Sequence, residues 1–287
     1  MNKWVLGARP RTLPAAVVPP LVGTATAAGL VPIVWWRFAA ALVVSLALQV
    51  AVNYANDYSD GVKGTDDTRV GPVRLVASGL ASPSAVKRAA FGAFAVAAAA
   101  GLALAIAVGW PLLVVGLASM LAAWFYTGGP KPYGYYGFGE LFVFVFFGLV
   151  ATTGSAYVQV ERITALALVA SVPVGALSCA LLVVNNLRDI PTDTLAGKKT
   201  LAVRIGERRT RGLYVALVSL AFLVAAACGL ARPAAVVAVL AAALAVAPIA
   251  AVRRGAHGRD LIAVLGASGR MQLVFGVLFA GGLWLSR

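Results

Sequence analysis

Acidic residues are scarce. Ten Asp and Glu serve 287 residues, against 24 Lys and Arg. Charged residues together make up 12% of the chain, about half of what an ordinary soluble domain carries. A soluble globule cannot be solvated on so little charge, and the mean hydropathy of +0.90 excludes a disordered chain. Cysteine and histidine are almost missing as well. Cys179 and Cys228 lie inside apolar runs and His257 in a basic loop, so neither a disulfide framework nor a thiolate or imidazole metal site is available. What remains is 61% apolar residues, gathered in long blocks.

Nine stretches approach the roughly 20 residues that an α-helix needs to cross about 30 Å of hydrocarbon. Their predicted bounds are 13–31, 37–56, 84–108, 110–127, 138–158, 163–187, 211–229, 233–252 and 266–285. The expected fold is all-α, one polytopic domain of nine transmembrane helices around a central cavity open to the cytoplasm. Pro19 and Pro20 remove backbone donors inside the first stretch and should kink it. The net charge of +14 does not indicate a nucleic-acid partner, because the basic residues occupy the short connections between apolar blocks. With nine spans, 20 Lys and Arg fall on one side and only Arg37, Arg162, Arg232 and Arg287 on the other. Positive charge accumulates on the cytoplasmic side, which places the N-terminus in the cytoplasm and the C-terminus outside.

The acids are not scattered evenly. Asp57, Asp60, Asp66 and Asp67 follow the second stretch, and Asp189 and Asp193 follow the sixth. Asn53, Asn56, Asp57 and Asp60 stand at i, i+3, i+4 and i+7, which shares one helix face. Asn185 and Asp189 are spaced by four, and Asp193 continues that face if Pro191 does not end the helix. Carboxylates crowded beside a membrane are costly without a cation. Carboxylate and amide oxygens, without His or Cys, suit a hard ion such as Mg²⁺. Basic residues downstream of each cluster (Lys63, Arg69 and Arg74; Lys198, Lys199 and Arg204) supply the side that phosphate oxygens would meet. The two segments resemble copies of one another. This suggests a pseudo-repeat of spans 1–4 (about 13–127) and 5–8 (about 138–252), with span nine (about 266–285) added. Repeats commonly place a site at their interface.

At these residues the chain resembles the UbiA superfamily of intramembrane aromatic prenyltransferases. The Asn53–Asp57 and Asp189–Asp193 spacings are similar to its two motifs, and the nine spans agree. Within the superfamily the segments RPRTLPAAVVPPLVGT from Arg9, NDYSDGVKGTDD from Asn56 and GELFVFVFFG from Gly139 are most similar to the branch acting on 1,4-dihydroxy-2-naphthoate. The wider placing of Asp66, six residues after Asp60, fits that branch. The resemblance implies transfer of a polyprenyl group from polyprenyl diphosphate to 1,4-dihydroxy-2-naphthoate, with loss of diphosphate and CO₂. It implies Mg²⁺, as two ions, on Asp57, Asp60, Asp189 and Asp193, with Asn53 and Asp66 as further ligands. Asn56, Lys63, Arg74, Lys131, Asn185, Lys198 and Lys199 would contact the diphosphate, and Arg11 the acceptor carboxylate. Tyr126, Phe142 and Phe146 would face the allylic cation.

Three other readings compete. Prenylation of 4-hydroxybenzoate is a neighbouring activity. An ion-coupled transporter also uses intramembrane acids, but here they cluster towards one face, apart from Glu140. An alcohol-phosphotransferase would need a DGxxAR element, and Asp60-Gly61 is followed by Val62-Lys63-Gly64-Thr65.

Overall fold

The computed structural model describes residues 2–65, 71 and 73–287, and among these no β-strand forms. The chain winds into α1 (Lys3–Ala8), α2 (Pro14–Ala27), α3 (Trp35–Val62), α4 (Pro83–Val108), α5 (Pro111–Phe125), α6 (Gly139–Val160), α7 (Ala165–Leu195), α8 (Leu201–Cys228), α9 (Pro233–Arg253) and α10 (Asp260–Leu285). Seven of these, α3, α4 and α6 to α10, are long and apolar enough to cross a membrane. The other two apolar helices, α2 and α5, have 14 and 15 residues, about 21–23 Å at 1.5 Å per residue. The protein is a multi-pass, all-helical membrane protein.

Each predicted stretch falls on a helix, but several helices outrun their apolar windows. The backbone of α3 continues to Val62 and that of α7 to Leu195, passing through Pro191. Hydropathy stops where charge begins, whereas a helix stops only where its backbone does. The consequence is functional, because Asp57 and Asp60 sit on the end of one helix and Asp189 and Asp193 on the end of the other. α8 starts ten residues before its predicted span and is broken at Gly206, whose φ of 79° and ψ of 167° suit glycine and few other residues. Pro19 and Pro20 lie buried inside α2, which runs unbroken from Pro14 to Ala27.

Packing divides the molecule into a dense half and an open half. Val18 and Val22 of α2, Leu177 and Val184 of α7, Tyr214 of α8 and Phe275 of α10 belong to one large buried cluster. α7 is its centre, with 78% of its apolar span buried. The first 13 residues of α9 are wound tightly, in 3₁₀ fashion. Ala235, Ala238 and Ala241 are buried there, a period of three that matches three residues per turn. The α6–α7 crossing is close because both helices present glycine. A Cβ on Gly148 would lie 2.6 Å from the Gly175 Cα, and the α6 backbone widens to a π-helical turn over Phe144–Val150. On the open side, a smaller cluster around Tyr54, Leu75 and Val86 joins α3 to α4. α5 has no buried residue. One face of it meets the cavity described next, and the other leaves Val114 and Leu117 exposed.

Candidate active site

A cavity of about 610 Å³ lies between α3, α4, α5, α6 and α7, closed further by the N-terminal segment and the start of α10. Its deep part is apolar, lined by residues such as Leu104, Val115, Phe147 and Val150, and its polar end is formed by the ends of α3 and α7. From α3 come Asn53, Asn56 and Asp60; from α7 come Asn185, Asn186, Asp189 and Asp193. The helix through Pro191 keeps Asn185, Asp189 and Asp193 on one face, as their spacing of four requires.

Asp57 is placed differently from its expected role. Its carboxylate turns away from the cavity and accepts from the Leu75 amide at 2.8 Å and the Val76 amide at 3.1 Å. It thereby anchors the loop that carries Arg74, which does line the cavity. The four-residue spacing facing the cavity is Asn56–Asp60 instead of Asn53–Asp57. Asn53 lines the cavity too, but its amide is taken up by the Ala8 carbonyl at 2.9 Å and Thr12 Oγ1 at 3.2 Å. These bonds, with the one from Arg9 Nη2 to the Asn53 carbonyl at 3.2 Å, tie the N-terminal segment to α3 and set Arg11 on the cavity wall. Asn56 accepts from Thr127 Oγ1 at 2.8 Å.

Tyr135 links Asp60 at the end of α3 to the segment that follows α7. Its hydroxyl donates to Asp60 Oδ1 at 2.6 Å, and Lys198 Nζ pairs with Asp60 Oδ2 at 3.2 Å. Lys198 and Lys63 both approach the Tyr135 ring, at 4.7 and 5.0 Å from its centroid, so two ammonium groups draw on one π-cloud. The Tyr135 carbonyl accepts from the Lys199 amide at 2.8 Å. Lys63 itself donates to the Thr127 carbonyl at 2.7 Å. Desolvation draws its ammonium below the ordinary lysine range, opposed by the nearby Asp60 charge and reinforced by Lys198. On α7, Arg188 holds Asp189 in a two-point pair, Nε and Nη2 donating at 2.7 and 2.8 Å. The Arg188 Nη2 group also donates to Asn185 at 2.8 Å.

The remaining predicted residues divide. Tyr126, Phe142 and Phe146 line the cavity, linked into one aromatic wall by Tyr133, which stacks on Phe142 at 3.9 Å. Phe142 and Phe146 are 6.0 Å apart and near-parallel. The side chains of Lys131 and Lys199 are exposed and not part of the lining. Asp66 lies outside the described residues. Tyr135, Asn186, Arg188 and Thr127 were not among the expected site residues. Tyr135 had a signal, a tyrosine- and glycine-rich segment between two apolar blocks (PYGYYGFG from Pro132), but nothing in its spacing to the acids foretold the contact.

Among the described residues no three acidic, His or Cys side chains form a tight metal cluster. The donor set, carboxylates and carboxamides on opposite walls, is what Mg²⁺ uses when it takes one or two carboxylates and completes its shell with water and phosphate oxygens. The residues therefore fit a hard cation brought together with a phosphorylated ligand.

A pocket with acids at one end and a long apolar, aromatic interior defines a class, and the chain belongs to it: residues 16–284 match the UbiA prenyltransferase family. Among its relatives is the 1,4-dihydroxy-2-naphthoate octaprenyltransferase of Mycobacterium tuberculosis, 53% identical over 98% of this chain and 96% of that protein. The enzyme of the same name from Escherichia coli is 37% identical over 75% of this chain and 72% of that one. A UbiA homolog from Aeropyrum pernix has the same fold, with a TM-score of 0.72 at 15% identity over 99% of both chains. A UbiA homolog from Archaeoglobus fulgidus, bound to GPP and Mg²⁺, matches with a TM-score of 0.64 at 14% identity over 97% of this chain and 99% of that one.

Proposed function

We propose that the protein transfers a polyprenyl group from polyprenyl diphosphate to 1,4-dihydroxy-2-naphthoate, releasing diphosphate and CO₂, as in the membrane step of menaquinone synthesis. The observation that carries this reading is the meeting of Asp60, Asp189 and Asp193 at one end of a cavity whose other end is greasy. A polyprenyl diphosphate has the same polarity along its length. The octaprenyltransferases among the relatives supply the acceptor.

Asp60, Asp189 and Asp193, with Asn56, Asn53 and Asn185, would hold Mg²⁺, as two ions. When bound, Mg²⁺ supplies Lewis-acid neutralisation of the leaving diphosphate. Asp57 serves by fixing the loop of Arg74. Arg74 and Lys198 steady the departing charge, Lys63 reinforces them through Tyr135, and Arg11 stands at the wall as a partner for the acceptor carboxylate. As the allylic C–O bond breaks, positive charge grows on the prenyl carbon. Tyr126, Phe142 and Phe146 offer ring faces worth about 0.5–2 kcal/mol each to that charge, and the apolar walls keep water from quenching it. The electron-rich naphthol ring forms the new C–C bond, and the pair from the carboxylate bond returns to the ring as CO₂ departs.

The same reading places nine membrane spans, counting α2 and α5, around a cavity open to the cytoplasm, in a single domain with a pseudo-repeat. It sets the N-terminus in the cytoplasm and the C-terminus outside. Purified protein in nanodiscs with Mg²⁺, a polyprenyl diphosphate and carboxyl-labelled 1,4-dihydroxy-2-naphthoate is expected to release diphosphate and labelled CO₂ in equal amounts. Prenylation of 4-hydroxybenzoate without CO₂ would move the protein to the neighbouring branch. Absence of transfer to any aromatic acceptor, with ion uptake into liposomes, would make it a transporter.

A further inference from the structure

Glu140 opens α6 with only 8% of its surface exposed. Its Oε1 accepts from Asn186 Nδ2 at 2.9 Å, while Oε2 is buried with no partner among the described residues. Its carbonyl accepts the Cys179 thiol at 3.1 Å. A carboxyl group buried at this depth is costly, and nothing in the transfer chemistry above employs it. Glu140 does not line the cavity, but Asn186 does.

The bond to Glu140 gives the Asn186 carboxamide a fixed sense. With Nδ2 directed at the carboxyl group, the amide oxygen is the arm left for the cavity. Close by stands Tyr126, a lining residue whose hydroxyl would lie 3.4 Å from a Cβ added at Gly139. Asn186 and Tyr126 thus line the same cavity as Phe142 and Phe146. An amide oxygen backed by a carboxyl group repels phosphate oxygens and welcomes a donor. Of the two substrates, only the aromatic one carries hydroxyl donors.

Building on the reading of the protein as a naphthoate prenyltransferase, we propose that Glu140 is a positioning residue. It holds the Asn186 oxygen towards the cavity, where this oxygen, beside the Tyr126 hydroxyl, accepts the hydrogen bond of one ring hydroxyl of the acceptor. The ring then lies against Phe142, oriented for attack. A site built this way rejects an acceptor whose hydroxyl is masked, because the buried oxygen is left unpaired.

Acceptor binding without prenyl diphosphate, read by calorimetry in nanodiscs, tests the proposal. Glu140→Leu and Asn186→Leu should each weaken 1,4-dihydroxy-2-naphthoate binding about tenfold, the worth of one hydrogen bond. The double variant should lose no more than either single one. Glu140→Gln keeps an accepting oxygen and should recover the affinity, and the affinity for geranyl diphosphate with Mg²⁺ should be unchanged throughout. Wild-type protein should bind one of the two monomethyl ethers of the acceptor about tenfold more weakly than the other, and Asn186→Ala should lose that preference. Additive losses, an unchanged acceptor affinity, or an equal fall in geranyl diphosphate affinity would overturn the proposal. If Glu140→Leu does not fold, the ether comparison in Asn186→Ala decides it alone. Wild-type turnover of the naphthoate beside unaffected variants would sink this inference only, whereas absence of wild-type turnover would sink the parent reading.

Discussion

Asp57 and Asp60 are three residues apart and chemically identical, yet their surroundings differ. Asp60 meets Tyr135 and Lys198 at the cavity, whereas Asp57 spans two backbone amides of a neighbouring loop. Asp60→Asn and Asp189→Asn are therefore expected to lower turnover about 100-fold or more, with membrane insertion kept but thermal unfolding in detergent brought to lower temperature, because each leaves a buried Lys198 or Arg188 charge without its counter-ion. Asp57→Asn keeps one accepting oxygen and loses the other. It should cost about 1–3 kcal/mol of stability and lower turnover less than Asp60→Asn does. Equal losses of turnover in the two variants would mean that Asp57 contacts the ligand. The sequence foretold the face that carries both acids but not their division of labour. Residues at i, i+3, i+4 and i+7 share a broad arc of a helix, and a neighbouring loop decides which part of that arc meets the cavity. Tyr135 was hidden for a related reason, since its contacts with Asp60, Lys63 and Lys198 join segments distant in the chain.

Among the helices, apolar length located each of α2 to α10, missed the short α1 and misjudged where several end. The polar ends of α3 and α7 are helical because the backbone ladder continues into the site, and it is this continuation that orients Asp60, Asp189 and Asp193. The close contact between α6 and α7 rests on Gly148 and Gly175. Gly148→Val should push the helices apart and destabilise the protein by about 1–3 kcal/mol. It should also disturb the stacking of Phe142 on Phe146, which leave from the same helix. Thermal unfolding checks the first effect, and leakage of prenyl diphosphate to the hydrolysed alcohol checks the second, since a displaced wall admits water. A variant that matches wild type in both would show that the α6–α7 crossing has room to spare.

For the molecule as a whole, topology is the open quantity most directly measured. Both native cysteines are buried, so a single introduced cysteine reports its own side. Arg209→Cys and Ala231→Cys stand at exposed positions towards opposite ends of α8. A membrane-impermeant maleimide should label the first only in inside-out vesicles and the second only in right-side-out vesicles. The reverse pattern would invert the charge-based orientation and put the acids on the outer face. Composition and the length of the apolar blocks were enough to establish a multi-pass helical membrane protein, because hydrocarbon solvates neither charge nor unpaired backbone, and apolar blocks of about 20 residues satisfy their amides as helices. The pairing of the acids with hard-cation chemistry was equally legible, since it depends on residue type and spacing along one helix. Which acid faces the cavity, how Tyr135 links Asp60 to the segment after α7 and why Glu140 is buried were decided by packing. Those features depend on the rotation of each helix and on loops brought alongside it, and neither is encoded in the local spacing of residues along a single segment.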